Sequence, residues 1–126
     1  MELSPRGGGN RLSEMMRYAT GVDLITAAVR AAVGDAVEGV TQKSCEGNWA
    51  EIILHADNDG IFQELRIDES VRDCVYEIDL WVSDGDAVRG FSAANAAIGT
   101  LVLRCETEEQ MLDLIKNQKE WLKVVC

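Results

Sequence analysis

The hydrophobic period of this chain changes from the 3.6 residues of a helix to the 2 of a strand across a polar stretch bounded by Gly39 and Gly47. Before that stretch, Leu12, Met15, Met16 and Ala19 recur at helical spacing. Gly21 breaks the run, and Asp23 opens a second helix with Ile25, Ala28, Val29 and Ala32 as its apolar stripe, ending at Gly34. Beyond the stretch, apolar and polar residues alternate. One chain holding helices first and strands afterwards implies an α+β fold, divided as residues 1–38 and 39–126.

The alternating part predicts a small antiparallel lobe of four or five strands. Ala50, Ile52, Leu54 and Ala56 alternate with Glu51 and His55, Asp57-Asn58-Asp59-Gly60 interrupts, and Ile61, Leu65 and Ile67 resume, which reads as a hairpin. The strongest alternation sets Cys74, Tyr76, Ile78, Leu80 and Val82, on a buried face, against Glu77 and Asp79. Val88 to Phe91 reads as a short return strand and Gly99 to Cys105 as a more buried one. Thr107 with Gln110 three residues on is a capping-box start for a terminal helix, with a short strand expected at Leu122 to Val125.

The 126 residues suffice for one compact domain or two small lobes. A net charge of −10 argues against nucleic acid or an anionic membrane surface as partner, since both would repel the chain. No apolar run approaches the roughly 20 residues that span a bilayer, and no signal-peptide layout opens the chain, so a cytoplasmic location is expected. The spacing of Cys45, Cys74, Cys105 and Cys126 fits neither zinc knuckles nor a redox pair, which predicts free thiols, with Cys74 and Cys105 buried and Cys126 exposed. His55, the only histidine, has no partner for a metal pair. Aligned on Gly60, the Asp57–Gly60 segment would need calcium ligands at His55 and Arg66, so a turn is the better reading. Trp49, Trp81 and Trp121 read as core or interface anchors, with Trp81 on the wetter face of its strand.

The opening residues carry different chemistry. Amides of Gly7, Gly8 and Gly9 can cradle anionic oxygens, Arg6 can fork onto phosphate or carboxylate, and Glu2 can hold Mg²⁺. Glu2, Arg6, the glycine run and Thr20-Gly21-Val22-Asp23-Leu24 match, in order and spacing, the end of the active site in ATP-grasp ligases. Those enzymes carry Glu-x-Asn-x-Arg on a strand, a glycine-containing loop, and a helix pair containing Thr-Gly-x-Asp-Leu. The first 35 or so residues carry the resemblance. Asp86-Ala87-Val88 and Ile98-Gly99 look more loosely like the β-rich lobe of amino-acid-ligase-like members, beside which biotin-carboxylase-like members are also similar.

The resemblance implies roles. Glu2 would bridge the Mg²⁺ ions on the ATP phosphates, Arg6 would contact the transferred phosphoryl or the acyl-phosphate, and Gly7, Gly8, Gly9 and Asn10 would face the nucleotide phosphates. Ser4 stands where the family has a metal-binding asparagine, and its shorter hydroxyl implies contact through water. Asp23 has its own local reading as a helix cap. In the family, the phosphate-gripping lysines, the adenine segment, the lid and an earlier metal carboxylate all precede this motif. The chain is therefore expected to be a C-terminal fragment or split subunit, inactive alone, that meets a separately encoded N-terminal half or forms a homo-oligomer over orphaned apolar surface. The alternative is a stand-alone interaction or regulatory module with a relic motif.

Overall fold

A computed structural model describes residues 9–126. The chain forms two compact units, the first ending at Gly47 and the second comprising Asn48–Cys126.

In the first unit, α1 (Leu12–Thr20) and α2 (Leu24–Ala32) are joined by a sharp break. Gly21 takes the left-handed conformation (φ 72°) that costs a side-chain-bearing residue most, and its N–H donates to the Arg17 carbonyl at 2.8 Å. The Thr20 hydroxyl donates to Met16 O at 2.6 Å and accepts from Val22 N–H at 3.2 Å. Val22 is buried, whereas α2 has no buried residue and leaves Ile25 and Val29 exposed. Residues 35–47 lack regular structure, and the Glu46 N–H returns to the Ala19 carbonyl at 2.7 Å.

The second unit is built on an antiparallel sheet ordered β1 (Asn48–His55), β6 (Ala97–Cys105), β4 (Val75–Leu80). β6 lies in the middle with both its edges paired, and its Leu101, Val102 and Leu103 are fully buried. Ile52 pairs with Leu101 and Leu54 with Gly99. Two further pairs complete the lobe: β2 (Gly60–Ile61) with β5 (Ala87–Val88), and β3 (Glu64–Ile67) with β7 (Leu122–Val125). α3 (Glu108–Lys116) begins at Thr107, whose hydroxyl accepts from Gln110 N–H at 3.1 Å while Gln110 Oε1 accepts from Glu106 N–H. A short α4 (Gln118–Trp121) leads into β7, and the buried Trp121 donates its indole N–H to Leu114 O at 2.8 Å.

Among the described residues seven strands form where alternation implies four or five, and two further sequence expectations fail here. The hairpin through Asp57–Gly60 does not form: β1 pairs with β6, and the following run splits into β2 and β3, which pair with different distant strands. The Asp57–Gly60 segment is a corner, held where Asp59 Oδ1 accepts from Gly90 N–H at 2.8 Å. The buried face expected for β4 also fails. Cys74 is buried, but Tyr76, Ile78 and Leu80 are 51%, 41% and 37% exposed. Cys74 closes a 3₁₀ turn (Glu69–Cys74), the pairing slips between Val75 and Glu77, and β4 lies at the sheet edge. The slip breaks the alternation, and the edge leaves the strand covered on one side only.

Candidate functional site

The opening loop supplies all the candidate residues for phosphate and metal. Glu2, Ser4, Arg6, Gly7 and Gly8 lie outside the described residues. Gly9 and Asn10 are described, and both are exposed. Leu12 N–H donates to Gly9 O at 3.2 Å across Asn10 (φ 53°) and Arg11 (φ 58°), so two consecutive left-handed residues close a tight turn directly before α1. Asparagine tolerates this conformation; arginine does so less readily, and such backbone strain concentrates at functional sites. A Cβ placed on Gly9 would meet no described residue within 4 Å, in keeping with its exposure. Sequence reasoning passed over Arg11. Its guanidinium is committed to Glu14 (Nε to Oε2 2.6 Å), which anchors the turn to the first turn of α1.

The Thr20–Leu24 motif is a structural joint. Asp23 Oδ1 accepts from Thr26 N–H at 2.8 Å and Oδ2 from the Thr26 hydroxyl at 2.9 Å, with Arg17 at 3.8 Å. The Thr26 amide, then its hydroxyl, hold the Asp23 carboxyl below the ordinary aspartate range, as expected of a helix-start cap. An apolar hollow of about 310 Å³ flanks this joint, lined in part by Met16, Thr20, Val22 and Leu24.

In the second unit, Cys74 and Cys105 are buried free thiols, and burial, then the Cys74 thiol beside it, push Cys105 up to about 11. Cys45 and Cys126 are exposed. Trp49 and Tyr76 stack edge-to-face at 4.9 Å with Arg104 over the Trp49 ring, while Trp81 is exposed and donates its indole N–H to Asp79 at 3.0 Å. No helix among the described residues is long and apolar enough to cross a membrane.

No protein-family model matches the sequence, and no curated protein matches it. Solved structures do. The chain is similar to a phosphoribosylglycinamide synthetase from Anaerococcus prevotii, with 22% identity and a TM-score of 0.66 over 92% of this chain. It is also similar to an L-amino acid ligase from Bacillus licheniformis, with 14% identity and a TM-score of 0.73 over 94% of this chain. It spans 30% of the length of each. At these identities the likeness establishes the fold, and the fold of this chain is that of one part of an ATP-grasp ligase.

Proposed function

We propose that this chain is one part of an ATP-grasp ligase that joins a carboxylate to an amine through an acyl-phosphate, and that it does no chemistry without the rest of that ligase. The observation that carries this reading is the combination of near-complete coverage of this chain with 30% coverage of two ligases. The opening motif agrees with it. Phosphoryl transfer is catalysed by positioned charge, and the net charge of −10 would itself repel ATP, so cations must be concentrated at the site. Glu2, with Ser4 through water, would hold Mg²⁺; Arg6 would face the transferred group; Gly7, Gly8, Gly9 and Asn10 would offer backbone amides. Mg·ATP would supply the transferable phosphoryl group and neutralise its charge.

The exposed stripe of Ile25, Val29 and Val33 on and after α2 fits a chain that is covered by association, either with the remaining part of the ligase or with a second copy. Calorimetry tests the reading. Mg·ATP titrated into the chain alone should give no binding heat, and titrated into its mixture with the polypeptide encoded upstream should give binding that Glu2→Gln weakens. Binding by the isolated chain that ignores Glu2→Gln, or none by the mixture, would contradict it.

A further inference from the structure

We propose that the second unit carries a binding site of its own, for a small organic anion with an apolar body, in the cleft between the end of β1, the loop after β5 and the α4–β7 corner. The cleft encloses about 500 Å³, within the roughly 300–1,000 Å³ usual for small-molecule sites. Its residues all belong to the second unit, so the proposal does not depend on the ligase reading.

Three features define what the cleft would take. The first is an aromatic wall. Phe91 is 62% exposed although its N–H is fixed to the Ala56 carbonyl at 3.0 Å, and its ring leans on His55 at 4.4 Å between centroids. A ring held in place and left open at a cleft offers a flat apolar surface, continued inward by Leu54 and Leu122. The second is His55. Its Nδ1 is buried without a hydrogen-bond partner, and buried polar atoms are nearly always satisfied. Packing on Phe91, rather than a hydrogen bond, holds the imidazole, so its ring N–H is left to donate to an anionic oxygen of an occupant. The third is charge. Lys119 and Lys123 line the cleft, and among the described residues neither is within ion-pair distance of a carboxylate; Asp57 is the one acidic residue in the lining. In a chain of net charge −10, a cleft with two ammonium groups and one carboxylate is locally inverted, and it favours a carboxylate or phosphate whose apolar part lies on Phe91.

The single histidine makes the test direct, because one pair of imidazole C–H signals reports the site. The full chain is titrated with phenylacetate, phenyl phosphate and neutral phenylacetamide and followed by NMR. Expected are saturable shifts of the His55 ring and of the Phe91 and Lys123 amides with at least one anion, the tighter of the two naming the headgroup. The amide should bind about tenfold more weakly or worse, and Lys119→Gln with Lys123→Gln should weaken the anion by a similar factor. Phe91→Ala, a change at an exposed ring that spares the core, should weaken each anion that binds. The proposal is overturned by no saturable shift with either anion, by equal binding of the amide, or by indifference to the lysine changes.

Discussion

Gly99→Ala is the substitution for which the second unit makes its sharpest demand. Gly99 lies in the buried middle strand, opposite Leu54 of β1 and Leu80 of β4. A Cβ there would stand 2.4 Å from Asp79 O and 3.1 Å from the Leu80 Cα. Both atoms are backbone, so no rotamer change relieves the contact. Reaching even the 3.0 Å below which such contacts are essentially never found requires β4 to retreat by 0.6 Å, the difference between 3.0 and 2.4 Å. That retreat pulls on the Trp81 N–H to Ile98 carbonyl bond, now 2.9 Å. Overpacking costs about 1–3 kcal/mol and a weakened hydrogen bond about 1, so a loss of about 2–4 kcal/mol is expected. Urea unfolding followed by tryptophan fluorescence reads it, since all three tryptophans lie in this unit. With a slope of about 2 kcal/mol per molar, the middle of the usual range, the midpoint should fall by roughly 1–2 M with the slope unchanged. A loss under about 0.5 kcal/mol, the range of an unremarkable surface change, would refute the close approach of β4 to β6.

Two further predictions concern titrating groups. Because the Cys105 thiol is raised from 9.0 to about 11 in the folded chain, the unfolded chain releases its proton first, so stability should be intact below pH 9 and decline between pH 9 and about 11; Cys105→Ala should flatten that decline, and alkylation should label Cys45 and Cys126 well before Cys74 and Cys105. For Asp23 the sign is opposite: its carboxyl is lowered, so its contribution is present above the ordinary value of 3.8 and is lost as pH falls below it. Asp23→Ala should remove that acid sensitivity and speed amide exchange at Thr26, and unchanged exchange would show that the cap holds nothing.

The parts of the fold that local chemistry dictates could be read from the chain. Gly21 and Asp23 separate two helices because one supplies a left-handed cap and the other a side-chain acceptor, and Thr107 with Gln110 starts α3 for the same kind of reason. Pairing could not be read, because alternation fixes which face of a strand is apolar but not which strand lies beside it. The run from Ile61 to Ile67 alternates well, yet its two pieces pair with Ala87–Val88 and with Leu122–Val125. The slip beyond Val75 is likewise silent in sequence, since it arises where a 3₁₀ turn feeds into an edge strand. At the opening loop, sequence marks a glycine-rich loop before a helix but not the left-handed turn that Asn10 and Arg11 close there. In the cleft beside His55, sequence offered no signal. Phe91 and the corner carrying Lys119 and Lys123 lie on two separate segments that the β3–β7 pairing and the Gly90–Ala56 bridge help draw towards the end of β1.

The proposal that this chain is one part of an ATP-dependent ligase is tested most directly by the rate of ATP hydrolysis. The chain is mixed with the polypeptide encoded upstream, in the presence of Mg²⁺ and a panel of carboxylate and amine substrates. The account predicts negligible hydrolysis by either component alone, clear stimulation on mixing, and loss of that stimulation with Glu2→Gln or Arg6→Ala by about a hundredfold or more, the usual scale for removing one charge-stabilising group. No stimulation, or stimulation that survives both substitutions, would contradict it.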